Sequence, residues 1–149
     1  MSVVEEEELP EQVTGLLSSV LHEGESPIYY VLSDIDENGN FGERWLILTK
    51  ENVVTVNPAS SHVLKIPFAS IRSSTVKDYV GNAEIFVEND KGETAVIRFS
   101  RTHLEEFHNA AKLIDKIAKQ EIKPEAFDAD ILGYFLTKKN GFKKSQTVK

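Results

Sequence analysis

The loop at residues 34–43 is the stretch whose side chains come closest to a known metal-binding pattern. Its oxygen-bearing residues alternate as in the first half of an EF-hand loop, where they face one calcium ion. The matching residues are Asp34, Asp36, Asn38 and Gly39. The second half fails, because the twelfth position is Trp45 instead of a bidentate glutamate and the flanks read as strands. We therefore predict a polar hairpin loop without tight calcium binding, and a calcium-responsive module using this loop is the alternative.

No combination of residues indicates catalysis. The chain has no cysteine, which excludes disulfides, thiolate metal sites and a cysteine nucleophile. Its four histidines are His22, His62, His103 and His108. His103 and His108 would point about 140° apart on a helix, which is poor geometry for a shared metal ion. We expect four solvated or core-edge histidines, no catalytic residue, no metal site, no cofactor and no enzymatic activity.

Charge is distributed unevenly along the chain. Residues 1–43 contain eleven acidic residues and no lysine or arginine, although the net charge of the whole chain is only −7. The last thirteen residues carry five lysines and no acid. The net charge disfavours nucleic acid as a partner, whereas the basic end could contact an anionic surface weakly. The candidates for that contact are Lys138, Lys139, Lys143 and Lys144.

Two hairpins surround a central hexapeptide at residues 66–71. Before it, residues 45–49 and 53–56 read as strands joined by a short turn. After it, residues 83–87 and 93–99 read as a second hairpin, with Gly92 in the turn. In the last strand, alternation predicts that Ala95, Ile97 and Phe99 face the core. Pro67 cannot donate to a sheet, so it should lie at a strand end.

Helical patterns flank the strands. Residues 10–23 show an apolar stripe that should dock on the sheet, and a longer stripe follows Thr102, an expected N-cap with Glu105 in a capping box. A third stripe at 124–136 either packs on the sheet or lies on a membrane or a partner. We predict a core that contains Trp45, Ile47, Ile66, Ile71, Phe86, Ile97, Phe99, Leu104, Phe107 and Ile114.

The order of these segments resembles bacterial PH-like (pleckstrin-homology-like, GRAM-like) domains over residues 25–120. The step from Ile66 through Pro67 and Phe68 to Ile71 carries most of the resemblance. More narrowly, residues 41–49 and 97–101 resemble the PH-like segment that precedes the membrane part of some bacterial ABC exporters. These motifs are patterns of apolar positions, so they indicate a fold better than an activity.

The resemblance implies two near-orthogonal antiparallel sheets, seven strands in a partly open barrel, a capping C-terminal helix and an added N-terminal helix. Around this domain we expect an acidic disordered leader at 1–9, the helix at 10–23, the short helix at 124–136 and a basic flexible tail at 137–149. The expected function is a non-catalytic module that binds a protein partner, as the cytoplasmic N-terminal part of a membrane transporter or of another larger chain.

Phosphoinositide binding, which many eukaryotic PH domains perform through a basic first loop, is not expected here. That loop carries four acids and no base between Asp34 and Glu43, and would repel an anionic headgroup. We expect a cytoplasmic protein at the membrane face, and the sequence makes no prediction of its oligomeric state.

Overall fold

The computed structural model describes residues 9–121 as seven strands and two α-helices. In chain order the elements are α1 (Glu11–Ser18), β1 (Pro27–Ile35), β2 (Phe41–Thr49), β3 (Asn52–Asn57), β4 (His62–Pro67), β5 (Ser73–Asp78), β6 (Asn82–Asn89), β7 (Gly92–Ser100) and α2 (Leu104–Ala118). Short 3₁₀ turns at Phe68–Ser70 and Arg101–His103 precede β5 and α2. The predicted leader, the helix at 124–136 and the basic tail lie outside the described residues, apart from Leu9.

The strands form two antiparallel sheets, which confirms the predicted fold class. Strands β1–β4 make one sheet and strands β5–β7 make the other, each in sequential order. The sheets meet where β1 runs beside β7: the Ser33 hydroxyl donates to the Arg98 carbonyl at 2.5 Å, and the Ser100 hydroxyl donates to Asp34 at 2.8 Å. These contacts join the sheets through side chains, so the barrel stays partly open.

The main core fills the space between the two sheets and α2. It includes Leu46 from the first sheet, Ile85 and Phe99 from the second, and Phe107 from the helix. Helix α2 is tied to both sheets, because the Tyr29 hydroxyl donates to the Glu106 carbonyl at 3.0 Å and the Ser74 amide donates to Asp115 at 2.9 Å. This helix therefore holds the two sheets in one arrangement.

A second core lies on the opposite face of the first sheet, beneath α1. Val13 and Leu17 from the helix pack against Trp45, Ile47 and Val54 from β2 and β3. Strand β2 is consequently buried on both faces from Arg44 to Thr49. The predicted docking of the N-terminal helix on the sheet is therefore observed.

A register shift in the β6–β7 pair corrects the predicted facing of Ala95. Ile85 pairs with Ile97 and Phe86 with Ala95, so Val96 is an extra residue in β7. A bulge of this kind reverses the facing of the residues beyond it. Val96 is therefore buried and Ala95 exposed.

Two other predicted core residues are only half-buried. Phe86 faces away from Ile85 and lies under the Lys77 ammonium at 4.4 Å. Leu104, the first residue of α2, packs at the core margin. The other eight predicted core residues are buried.

The predicted N-cap of the C-terminal helix is also wrong. Thr102 lies inside the 3₁₀ turn that precedes α2, and its amide donates to the Ser100 hydroxyl at 3.3 Å. The cap residue of α2 itself is His103, which makes no side-chain capping bond. The Ser100 hydroxyl thus caps the 3₁₀ turn before α2 by accepting from the Thr102 amide. The same hydroxyl donates to Asp34 and so joins the two sheets.

Within residues 9–121, neither helix is long and apolar enough to cross a membrane.

We predict that Phe107→Ala lowers the free energy of unfolding by about 3–5 kcal/mol, as truncation of a buried phenylalanine does. The Phe107 ring is fully buried and stacks on Phe99 with 4.2 Å between the ring centroids. Urea denaturation measures the change. Phe41→Ala is the matched control at an exposed site and should change stability by less than about 0.5 kcal/mol. A loss below about 1 kcal/mol for Phe107→Ala would mean that α2 does not close the core.

Candidate functional site

The β1–β2 loop is held by one aspartate. The Asp36 carboxylate accepts hydrogen bonds from the backbone amides of Asn38 at 2.9 Å and Asn40 at 3.0 Å. Gly39 takes a left-handed conformation with φ of 84°, and Gly42 leaves room for Asp36 because a Cβ atom there would meet the carboxylate at 3.0 Å. Asp36 is thus the organising residue of a tight polar turn.

The other predicted calcium ligands serve different roles. The Asp34 carboxylate accepts hydrogen bonds from the hydroxyl and the backbone amide of Ser100 in β7. The Asn38 side chain, in contrast, is exposed. The aspartates therefore hold different partners. Within residues 9–121, one group of three side chains of the types that bind metals lies close together, and it contains none of the predicted calcium ligands. The calcium hypothesis stays a prediction.

Glu37 fastens the β1–β2 loop to the β3–β4 loop. Its carboxylate accepts hydrogen bonds from the Asn57 amide at 2.9 Å and the Ser60 hydroxyl at 2.8 Å. Burial alone would raise the pKa of Glu37, but these bonds, a backbone bond and the charge of His62 outweigh it and lower the pKa to about 2. The two loops therefore form one structured end of the first sheet.

Arg44 lies buried beneath these loops. Its Nη2 donates to the Thr55 hydroxyl at 3.0 Å, and its Nε has no partner among residues 9–121. Burial lowers the pKa of Arg44, and the charges of Glu37 and Asp36 work against that shift. Because the guanidinium is buried, its positive charge offsets part of the negative charge of the loop carboxylates and is hardly accessible to a ligand at the surface.

The same end of the molecule exposes large apolar side chains. Phe41 and Val80 are 91% and 99% exposed, whereas Tyr79 is partly covered by Arg98, whose guanidinium lies 5.1 Å from its ring. We call Phe41, Tyr79 and Val80 the loop-end surface.

Strand pairing and one side-chain bond bring the turns that carry the loop-end surface to the same end of the two sheets. Phe41 pairs with Ile35, the neighbouring Asp34 bonds Ser100, and Ser100 pairs with Asn82. The Asn82 carbonyl in turn accepts a hydrogen bond from the Tyr79 amide at 2.7 Å. The β1–β2 and β5–β6 turns therefore lie at the same end of the molecule, with β1 and β7 between β2 and β6.

The sequence reasoning missed this surface, although one signal was present. Phe41 follows Asn40 and Val80 precedes Gly81, and apolar residues next to turn residues tend to lie at the end of a sheet, beyond the core. The four candidate lysines of the tail lie outside the described residues, and their predicted role stays a prediction.

Comparison with known proteins identifies the fold. No family model matches the sequence, and no curated protein matches it either. Among solved structures, the chain is similar to a PH-domain-containing bacterial protein from Exiguobacterium sibiricum 255-15, with a TM-score of 0.51 and 18% identity. That alignment covers 93% of this chain and 78% of the other. The C-terminal domain of an unknown protein from Leishmania infantum has a TM-score of 0.49 and 10% identity, over 72% and 94% of the two chains.

The first of these similarities, together with the strand order, defines a PH-like fold. The order of two antiparallel sheets followed by a C-terminal helix agrees with the expectation from residues 25–120. A likeness at 18% identity concerns the fold alone. The narrower resemblance to exporter segments stays a prediction.

We predict that Glu37 contributes stability that is lost in acid. A carboxylate whose folded-state pKa is near 2 instead of the ordinary 4.5 stabilises the fold above pH 4.5, and loses this effect as the pH falls toward 2. Glu37→Gln should therefore be less stable than the wild type at pH 7, with a difference that narrows in acid. Urea denaturation across this range measures it, with the exposed Glu23→Gln as control. A difference that is constant with pH would contradict the assigned role.

Proposed function

We propose that this chain is a non-catalytic protein-interaction module that binds its partner through the loop-end surface. The observation that carries the proposal is the near-complete exposure of Phe41 and Val80 beside turns at the same end of the two sheets. Most other large apolar residues of the strands contribute to the two cores, and Leu32 is exposed to a much smaller degree, at 38%. Exposed aromatic residues on a rigid support are typical anchors of protein interfaces.

The support beneath this surface is preorganised. Asp36 holds the β1–β2 turn, Glu37 ties it to the β3–β4 loop, and Asp34 ties its strand to β7. A partner would therefore meet a surface that loses little conformational freedom on binding. This is a property of a binding module and requires no catalytic group.

The charge around the surface narrows the kind of partner. Within residues 34–43, all four charged residues are acidic, and the adjoining Arg44 is buried. The arginine beside Tyr79, Arg98, has its charge paired with Glu84 at 3.0 Å. An anionic membrane would be repelled from this end, whereas a protein with an apolar pocket and a basic rim would be attracted. The proposal includes a membrane protein as the partner, such as a transporter in the same longer chain, because such a protein can also offer an apolar pocket with a basic rim.

A photo-cross-linking amino acid at position 41 tests the interface. We expect Phe41→p-benzoylphenylalanine in the native host to yield a discrete protein adduct, identified by mass spectrometry, because residue 41 lies at the centre of the proposed contact. Val80→Asp in the same chain should abolish the adduct by placing a charge in the apolar contact.

The matched control carries the same amino acid at exposed Lys91, in the turn between β6 and β7. Adducts of equal yield from positions 41 and 91, or adducts with lipid alone, would contradict the proposed surface.

Weak membrane contact, in contrast, is proposed for the basic tail. Each lysine near an anionic bilayer is worth about 1 kcal/mol and is screened within a Debye length. Changing Lys138, Lys139, Lys143 and Lys144 to glutamine in the full chain should abolish sedimentation with anionic phospholipid vesicles at low ionic strength. A control with the same charge change uses Lys50, Lys91, Lys112 and Lys119, which are exposed. Sedimentation that survives in the tail variant would exclude these lysines as the contact, and no sedimentation of the wild type would exclude lipid binding.

A further inference from the structure

A histidine and two glutamates converge where the chain passes from α1 into β1. The His22 Nδ1 lies 3.1 Å from the Glu51 carboxylate and 3.9 Å from that of Glu25. One ligand atom from each of the three residues lies within 4.8 Å of the others. The sequence places His22 and Glu51 far apart, and it predicted no role for either.

Glu25 is fixed in place by its neighbours. Its side chain is only 2% exposed, and one oxygen accepts hydrogen bonds from the Thr49 hydroxyl and from the Asn52 amide at 2.7 Å. The other oxygen accepts the His22 backbone amide at 3.0 Å and faces the imidazole. Hydrogen bonds that orient a carboxylate in this way are the usual outer shell of metal ligands.

The placement of Glu25 fits a ligand role. Its carboxylate is buried, held by its hydrogen bonds and directed at the His22 Nδ1 at 3.9 Å. A fixed carboxylate that faces a nitrogen ligand is a suitable anchor for a cation.

His22 and Glu51 bond each other at the surface, and an ion between them would replace that bond. Their side chains are 70% and 57% exposed, so they can rotate toward Glu25 without disturbing the core. Zinc binds nitrogen and oxygen ligands at about 2.0–2.2 Å, which places neighbouring ligand atoms about 3–3.5 Å apart. The present separations are close to that spacing, so a shift of roughly 1 Å by exposed atoms suffices.

We propose that His22 Nδ1, Glu25 and Glu51 form a site for a divalent cation of the zinc type. A nitrogen ligand favours such an ion over calcium and magnesium, which prefer oxygen ligands alone. The imidazole binds as the neutral ring with its proton on Nε2, and water completes the coordination.

The site joins two segments that are remote in sequence. His22 and Glu25 follow α1, whereas Glu51 lies in the turn between β2 and β3. A bound ion would therefore fasten the end of α1 over the outer face of the first sheet. Binding should raise the stability of the α1 docking, and with it the Tm.

Titration of the full chain with Zn²⁺ tests the proposal. We expect uptake of one ion per chain by calorimetry, shifts of the His22 ring nitrogens and of the Glu25 and Glu51 amides by NMR, and a higher Tm. His22→Ala and Glu51→Gln should each weaken binding by more than about 10-fold, since even loss of an outer-shell partner costs about 10–100-fold. Both changes are at exposed positions, and the Tm without zinc verifies folding.

His62→Ala and Glu23→Gln are the matched controls, because both are exposed residues of the same types. They should bind zinc as the wild type does. Calcium forms a separate arm, in which the His22 signals should stay unchanged and the amides of Gly39 and Asn40 report on the alternative loop. Affinity that is unchanged in His22→Ala and Glu51→Gln, an equal loss in His62→Ala, or no saturable uptake at millimolar zinc would each overturn the proposal.

Discussion

The structure depends on the fact that the β2–β3 hairpin is apolar on both faces. Residues Trp45 to Leu48 are all buried, although they alternate between the two sides of the sheet. One face is covered by the second sheet and α2, and the other requires a separate cover, which α1 supplies through Val13 and Leu17. At about 25 cal/mol for each square ångström of apolar surface, an uncovered outer face would be costly. The short α1 is therefore an integral layer of the fold.

Polar side chains connect the layers where no backbone ladder can. The first and second sheets meet through Ser33 and Asp34 on β1, and the side chains of Tyr29 and Asp115 bond α2 to the two sheets. Hydrogen bonds are directional, so they fix the relative position of two elements, whereas apolar packing alone allows several positions. They also explain why Asp34 and Asp36 resemble calcium ligands in sequence: the same oxygen atoms that would coordinate an ion here satisfy hydroxyl and amide donors.

Periodicity predicted the fold well, because alternation and helical spacing report on burial directly. The two hairpins, the central step at Pro67 and the amphipathic α2 all follow from it. It failed at Ala95, since a one-residue bulge in β7 reverses the facing and leaves no mark in the residue types. Phe86 was misplaced for another reason, because the unbroken alternation of β6 puts Ile85 in the core and Phe86 on the other face. Periodicity also could not place His22 beside Glu51, because that proximity depends on where α1 docks, which only tertiary packing decides.

The two proposed sites can be separated because β2 holds them apart. Phe41 begins the strand and Glu51 lies just beyond its end, so eight to ten residues at about 3.3 Å each place the sites roughly 26–33 Å apart. Among residues 9–121, the hydrogen bonds of Asp36, Glu37 and Asp34 that fix the loop-end surface run to residues other than the three proposed ligands. Loss of the cation site would thus loosen α1 locally and leave Phe41 in place. A partner contact at the loop end that responds to zinc would require the ion to act through the strand itself, whose apolar residues are packed on both faces and have little room to move.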